Sequence, residues 1–423
     1  MKECSREAPR IGVLICAALI CFHDHPGAGA SAPPFRLKAE ATGGRKIQPQ
    51  TPTPSTKPTG KPAAKNASGA EFDRLVNSAT EARRAERWEE AIELYGKALK
   101  LKPDYVEGHW YQGAAYYTLD NSAQCRDAFR RVVRLAPKNG AAYAFRGLCE
   151  FGLKEYDRAL LHLLQSRTLG VGDTGDLAGI ARYHAAILMS RTEQYEQALE
   201  TLGEFAAEGN DNPRVIEALG IATLRMPMLP IELPPDRREM VLMAGRASYM
   251  MATRNTASAE TAFQALASRY PETPNVHYAY GVFLLQEQPD KAIEEFKREL
   301  ELQPGHPSSL TQIAYEYLKR GDPQSGLSWA QQAVAAAPED FTTHKALGQA
   351  LLETGNVDGA ITQLQVGIKL APESPGLHFT LARAYQRAGR LEDADRARAE
   401  FTRLDRLART RKSGAQSVGG QDK

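Results

Sequence analysis

The sequence has few cysteines, and their positions limit what they can do. Five occur in 423 residues, and three of them, Cys4, Cys16 and Cys21, lie near the N-terminus. If that segment is removed, Cys125 and Cys149 remain, which are too few for a disulfide framework. Both lie at small-residue positions of predicted helices, so we expect two buried free thiols. A single bridge is the alternative if the protein is exported.

The sequence also lacks a strong excess of one charge. The formal net charge is only +2. Residues 1–70 hold ten Lys/Arg against four Asp/Glu, and residues 401–423 hold six against two, so residues 71–400 have a net charge of −8. A body of this charge without a basic stripe argues against nucleic acid as a partner.

The apolar run near the N-terminus is too short for an ordinary membrane span. IGVLICAALICF has twelve residues, whereas a bilayer core needs about 20. It follows a basic-leaning head and precedes small residues, which is the order of a secretory signal peptide. We therefore expect residues 1–30 to be cleaved and the protein to be periplasmic or associated with the cell envelope; a membrane-anchored, uncleaved N-terminus is the alternative. Residues 31–70, rich in Pro, Thr and Lys, are expected to form a disordered linker.

Motifs of catalysis are missing as well. The sequence shows no Gly-rich phosphate loop, no paired catalytic carboxylates and no nucleophile motif. We therefore expect a protein that is not an enzyme and that uses no cofactor.

What the sequence does have is a repeat. A small residue recurs at Ala91, Cys125, Ala159 and Ala198, and again at Ala259, Ala292, Gly326, Ala360 and Ala394. A larger apolar residue usually follows four positions later, such as Tyr95 or Leu364, and a proline twelve positions later, such as Pro103 or Pro372. A small and a large residue one turn apart form an interlocking helix surface, and the proline ends the helix.

A second predicted helix precedes each of these, marked by a small residue such as Gly113, Gly147, Gly281 or Gly348. A helix-turn-helix unit about every 34 residues resembles the tetratricopeptide repeat, over residues 72–408. The resemblance implies an all-α, right-handed superhelical solenoid. We expect about four units in residues 71–210, about five including a cap in residues 240–408, and a disordered basic tail in residues 409–423.

In this family the first helices of the units line a concave face that binds a peptide or protein. The places that the resemblance puts on that face include five aromatic residues, Trp110, Tyr117, Tyr183, Tyr278 and Tyr315, which are candidate anchors for a peptide. In the last units they include Lys319, Lys345, Gln349, Arg383 and Arg387, a cluster that could hold a terminal carboxylate. Core packing of the aromatic residues and a solvated helix face for the basic ones are the alternatives.

Four histidines recur at comparable places, namely His109, His277, His344 and His378. The first helix of a unit in this family often has an aromatic residue there. The resemblance therefore implies that they pack within the units, and no metal site is expected.

The repeat is interrupted at residues 211–239. NPRVIEALGIATLR predicts a helix that begins near Pro213, and the four prolines of MPMLPIELPPD exclude a helix after it. Asp236 with Glu239 predicts the capping box of the next helix. The loop is apolar through Met228, Leu229, Ile231 and Leu233. It is interpreted as a covered joint between two repeat blocks, as a partner-binding element, or as a copper(I) site of methionine thioethers.

The repeat therefore predicts a protein-interaction scaffold that binds a protein or peptide partner. A glycan-handling accessory protein in exopolysaccharide assembly or export would use the same aromatic face for sugar rings. A regulatory subunit of a separately encoded enzyme is a third possibility. The sequence does not separate these functions, and it gives no oligomeric state.

Overall fold

The computed structural model describes residues 67–172 and 174–416. Within these residues the chain forms 19 α-helices and two short 3₁₀ turns, and it forms no strand. The helices are α1 Ala67–Arg84, α2 Trp88–Leu101, α3 Val106–Thr118, α4 Ser122–Leu135, α5 Gly140–Gly152, α6 Tyr156–Leu169, α7 Leu177–Arg191, α8 Tyr195–Ala207, α9 Pro213–Thr223, α10 Arg238–Ala252, α11 Thr256–Arg269, α12 Val276–Leu284, α13 Pro289–Leu302, α14 Pro307–Lys319, α15 Pro323–Ala336, α16 Phe341–Glu353, α17 Val357–Leu370, α18 Pro375–Arg387 and α19 Leu391–Gln416. The predicted all-α repeat solenoid is confirmed.

Helix α17 shows why the repeated residues form these elements. The Asn356 side chain accepts a hydrogen bond from the Gly359 amide and so caps the first turn. Ala360 and Leu364, one turn apart, are both fully buried. The helix ends at Leu370, and Pro372 prevents its continuation.

Successive helices pack as antiparallel pairs that cross at the small residues. In the pair α16 and α17, a Cβ added to Gly348 would lie 2.6 Å from Cγ of Leu364 and 3.4 Å from the Ala360 carbonyl oxygen. Ala360 therefore lies at a helix crossing, as predicted. The first helices of neighbouring pairs also touch each other, for example α5 with α7 and α16 with α18. This contact places the first helices on the inner side of the curved array.

The repeat is broken by one additional helix, α9. It packs on α10 at a crossing of two glycines, where a Cβ on Gly245 would lie 1.9 Å from the Ile216 carbonyl oxygen, and one on Gly220 would lie 1.9 Å from that of Val241. The backbones are thus in direct contact. Because α10 packs closely on both α9 and α11, it belongs to two helix pairs.

The loop after α9 is not helical, as the prolines predicted, except for 3₁₀ turns at Pro230–Glu232 and Pro235–Arg237. The prediction that Asp236 forms a capping box with Glu239 is wrong. Asp236 lies inside the second 3₁₀ turn, because two consecutive prolines set that turn first. Helix α10 then starts at Arg238, and its N-cap, Arg237, makes no side-chain capping hydrogen bond.

Both ends of the array differ from the predicted boundaries. Helix α1 starts at Ala67, four residues before the expected first unit, and α19 continues to Gln416, past the expected boundary at residue 408. Arg and Lys favour helix, and an i,i+4 pair between Arg409 and Asp405 (2.8 Å) supports the extension. Helix α19 contacts α6, so the array curves back on itself.

Other predictions concern residues that the structure does not describe. The signal peptide of residues 1–30, nearly all of the linker and the end of the tail lie outside the described residues. In the described part of the chain, no helix combines the length and apolar character of a membrane span.

The expectation of two free thiols is wrong. Cys125 of α4 and Cys149 of α5 form a disulfide, with their Cα atoms 6.0 Å apart. Both side chains are buried, at 0% and 1% exposure. The helix pairing brings them together, because α4 and α5 pack as neighbours in consecutive units. The two cysteines are 24 residues apart in the sequence, a spacing that does not match the repeat and does not by itself indicate a contact.

Candidate partner-binding surface

The aromatic candidates of the N-terminal repeats lie mostly below the surface. Trp110 is 2% exposed and meets the rings of Phe129 and Phe145 edge-on at 5.3 and 5.7 Å. Tyr117 is half-buried against Phe145, at 5.3 Å. Tyr183 is 8% exposed and contacts the buried ring of His184. The expected surface location is therefore wrong for Trp110 and Tyr183, because neighbouring inner helices pack against that side of α3 and α7.

Tyr278 of α12 is also buried, at 8% exposure. Its ring packs against Phe296 and meets His306 edge-on at 5.0 Å. Burial raises the pKa of its hydroxyl. Tyr278 therefore belongs to a core of the C-terminal repeats. The prediction that it lies on the surface is wrong as well.

Tyr315 is the aromatic candidate that joins the basic cluster. It lies half-buried on α14, and the Lys345 ammonium of α16 sits 5.9 Å from its ring centre. Burial raises the pKa of the Tyr315 hydroxyl, so the phenol is neutral at physiological pH. With Gln349 and Arg383, also half-buried, these residues lie on the three inner helices α14, α16 and α18. We call this surface the C-terminal inner face.

Two arginines of the cluster are already paired. Arg383 and Arg387 of α18 both donate to the carboxylate of Glu353 on α16, at 2.7 and 2.9 Å. Arg387 also donates to the Leu352 carbonyl oxygen at 2.5 Å. Burial alone would raise the pKa of Glu353, but Arg387 and Arg383 hold it below its usual value. The carboxylate therefore stays charged and neutralises much of the local positive charge.

Lys319 has an acidic neighbour too. Its ammonium lies 3.4 Å from the carboxylate of Glu316, one turn earlier on α14. The lysine side chain is 62% exposed, so the pair is screened by water and contributes little. The basic cluster that the sequence predicted is thus mostly a set of ion pairs.

Lys345 differs from the other cations of this face. Among the described residues, no carboxylate lies within salt-bridge distance of its ammonium. A Cβ on Gly376 of α18 would lie 3.0 Å from the nitrogen, so the side chain reaches across to the next inner helix. Burial lowers the pKa of Lys345 from its ordinary value. The C-terminal inner face therefore presents one unpaired cation beside an aromatic ring.

The apolar loop candidates divide into buried and exposed residues. Leu229 is 2% exposed and belongs to the core of the N-terminal repeats. Met228 and Leu233 are partly buried against the next core, which contains Val241 and Phe263. Ile231 is 62% exposed. The loop thus links two cores, as the covered-joint interpretation requires, and leaves one apolar side chain in solvent.

The joint also uses an arginine that sequence reasoning missed. Arg225, just after α9, forms an ion pair with Glu196 at 2.6 Å. Its guanidinium lies 4.7 Å from the ring centre of Tyr195 and 5.3 Å from that of Tyr278. Arg225 therefore connects α8 of the N-terminal repeats to α12 of the C-terminal ones. No motif in the sequence indicated this role.

The four recurring histidines have a shared structural role. Each lies within hydrogen-bond distance of the carbonyl oxygen of the proline six residues earlier, through Nε2, at 2.7 to 2.9 Å. Because a carbonyl only accepts, Nε2 carries the proton and donates. The spacing Pro-x5-His was visible in the sequence and could have predicted this contact. In the described part of the chain, no group of three or more His, Cys, Asp or Glu could hold a metal ion.

Comparison with known families agrees with this architecture. A family model described as TPR repeat matches residues 83–120, and one described as Tetratricopeptide repeat matches residues 115–169, 245–307 and 311–375. The chain belongs to the tetratricopeptide repeat proteins. The matches leave out residues 170–244, which include α9 and the proline-rich loop. A search of curated proteins gave no match.

Solved structures with similar folds include three repeat proteins. MamA from Desulfovibrio magneticus RS-1 is 22% identical over 41% of this chain and 96% of its own, with a TM-score of 0.35. The Cut9–Hcn1 hetero-tetramer of APC/C is 12% identical over 83% and 94%, with a TM-score of 0.38. Yeast Tom70 is 14% identical over 83% and 96%, with a TM-score of 0.31.

Proposed function

We propose that this protein is a non-enzymatic scaffold that holds a segment of a protein partner on its C-terminal inner face. The observation that supports this proposal is Lys345, a half-buried cation with a ring beside it and no carboxylate partner among the described residues. Keeping such a charge away from water is unfavourable unless an anion compensates it. A partner's carboxylate would supply that compensation.

The partner's chemistry follows from the ion pairs around this lysine. Because Glu353 already occupies Arg383 and Arg387, the inner face favours a single carboxylate near Lys345 over a strongly acidic stretch. Gln349, one turn along α16, adds an uncharged amide that can donate to the same group. We therefore favour a peptide with a free C-terminal carboxylate.

The compartment is part of the same proposal. The signal-like order of residues 1–30 favours export, and a buried disulfide between Cys125 and Cys149 is typical of an oxidising compartment. We place the scaffold in the periplasm or cell envelope.

The test compares two lysines of the same face. Lys345→Glu should weaken binding of a fluorescein-labelled peptide that ends in a free carboxylate by at least about tenfold, because a charge-assisted hydrogen bond of about 1.5 to 3 kcal/mol is replaced by repulsion. Lys319→Glu makes the same charge change at an exposed, already paired site and should have little effect. Fluorescence anisotropy measures both affinities, and circular dichroism checks the fold.

The amidated form of the peptide decides the chemistry. If it binds the wild-type protein as tightly as the free acid does, the carboxylate contact is wrong. If Lys345→Glu and Lys319→Glu lower the affinity equally, general electrostatic attraction accounts for binding and the assigned site is wrong.

No observation favours the glycan alternative. It required exposed aromatic rings on the concave face, whereas Trp110, Tyr183 and Tyr278 are between 2% and 8% exposed. A role as a regulatory subunit uses the same peptide contact, and identification of the partner would distinguish it from a general scaffold.

A further inference from the structure

The outer surface of the second repeat unit has a concentration of positive charge. Helix α4 contains four arginines and a single acidic residue, Asp127. Arg130, Arg131 and Arg134 are exposed, and Lys138 is exposed in the turn that follows. These four residues form what we call the α4 basic patch.

The patch is scarcely neutralised. Asp127 pairs mainly with Arg126, at 3.1 Å, and lies 3.6 Å from Arg130. Among the described residues, Arg131, Arg134 and Lys138 have no carboxylate within 4.0 Å. On α19, by contrast, the exposed Arg403 pairs with Glu400 at 2.6 Å. Three adjacent unpaired cations therefore distinguish this surface.

The preceding unit extends the patch. Lys100 of α2 is exposed and occupies the repeat position that Arg134 occupies 34 residues later. His109 of α3 lies between these two outer helices. Its pKa is lowered by burial, and the positive charges of Arg131 and Arg134 lower it further. The cations of the patch thus share one continuous surface.

The net charge of the outer helices differs from unit to unit. Helix α8, the equivalent element two units later, contains Glu196, Glu200 and Glu204 and no Lys or Arg. Of the outer helices, α4 therefore has the largest excess of basic over acidic residues. The chain that leads into this end, residues 31–66, contains seven Lys/Arg and one acidic residue, Glu40. Positive charge is concentrated where the body joins its N-terminal segment.

We propose that the α4 basic patch docks the N-terminal repeats on an anionic phospholipid surface. Phosphate headgroups match unpaired guanidinium groups in charge and geometry. The outer face of α4 does not overlap the proposed peptide-binding surface, which lies on the inner helices of the C-terminal block. The basic residues 31–66, which lead into this end of the array, would add to the attraction to the same anionic surface.

The test measures binding of the full chain to lipid vesicles. Vesicles of phosphatidylcholine mixed with anionic phosphatidylglycerol are compared with vesicles of pure phosphatidylcholine in a flotation assay. Arg131→Gln, Arg134→Gln and Lys138→Gln are combined in one variant. Each basic residue near an anionic surface contributes roughly a factor of five, so the variant should lose affinity on the order of a hundredfold.

A matched control removes the same charge elsewhere. Lys291→Gln, Lys297→Gln and Lys369→Gln, combined, neutralise three exposed lysines on outer helices of the C-terminal repeats. This variant should bind anionic vesicles nearly as well as the wild-type protein. Both variants keep residues 1–66, so any contribution of the N-terminal segment cancels in the comparison.

Three results would overturn the proposal. The first is equal binding of the wild-type protein to neutral and anionic vesicles, and the second is equal affinity loss in the patch and control variants. The third is unchanged binding by the patch variant, which would show that the patch does not contact the lipid. Peptide binding at Lys345 is measured separately, so the failure of one proposal leaves the other intact.

Discussion

The two repeat blocks bury their inner helices to different extents. In the N-terminal block the first unit has a small cluster of its own around Tyr95, and one large core then runs from Trp110 of α3 to Leu229 of the loop. In the C-terminal block the core is divided into smaller clusters, around Phe296, Ala330 and Leu364. The same repeat pattern therefore gives a continuous core in one block and separate, unit-sized cores in the other.

The inner positions explain this difference. On α7 every residue from Tyr183 to Ser190 is buried, including the place that the family pattern puts toward a ligand. On α16 the equivalent place is occupied by Lys345, and Gln349 follows one turn later, both partly exposed. Apolar residues at the inner positions are buried between neighbouring units, whereas polar residues at these positions remain accessible on the inner face. The polar block is therefore the one suited to bind.

The largest effect is expected at the junction of the two blocks. Leu229→Ala should cost about 2 to 5 kcal/mol, because it leaves a cavity in the continuous core. Ile231→Ala, two residues away and 62% exposed in the wild-type protein, should change stability by less than about 0.5 kcal/mol. Urea unfolding of both variants measures the difference. Equal effects would show that the loop is not part of the N-terminal core.

A smaller and more local effect is expected within the C-terminal block. Ala360→Trp overpacks the crossing of α16 and α17, where Ala360 is 0% exposed, and should cost roughly 1 to 3 kcal/mol. Because each unit contacts mainly its neighbours, hydrogen exchange should accelerate in residues 340–400. If residues 72–170 loosened as much, the picture of separate unit-sized cores would be wrong.

The sequence predicted the repeat and its crossings because these depend on local spacing. A small residue at Ala360 and a large one at Leu364 identify a helix surface whatever lies further along the chain. Whether a side chain of the inner face is buried or exposed depends instead on which residues of the neighbouring units pack against it. Periodicity located Trp110 and Lys345 at the same repeat position, but it could not show that one is covered and the other open.

The joint was beyond prediction for a related reason. Arg225 makes its contacts with Tyr195 and Tyr278, which lie 30 residues before it and 53 residues after it. No repeat relation connects these three positions. The sequence likewise left the disulfide of Cys125 and Cys149 as an alternative to free thiols, because the bridge joins two different positions of adjacent units.

The recurring histidines sharpen the comparison within the C-terminal block. His277 donates through Nε2 to the Pro271 carbonyl, and its Nδ1 lies 2.6 Å from a carboxylate oxygen of Glu295. His344 has the same proline contact, but its Nδ1 faces the uncharged side chain of Gln363 at 2.8 Å. The protein thus contains one charged and one neutral version of the same contact.

This difference predicts a pH dependence of small size. The hydrogen bond to Glu295 raises the pKa of His277 above its ordinary value of 6.5, although burial opposes the shift. A raised folded-state pKa stabilises the protein fully below pH 6.5, and the contribution is lost as pH rises through the folded pKa. Glu295→Gln copies the contact of His344 and should remove this loss, a change of about 1 kcal/mol or less. Urea midpoints at pH 6 and pH 8 measure it. The Arg298 pair with Glu295 is lost at both pH values, so it cancels, and an equal pH dependence in both proteins would rule out His277 as the group responsible.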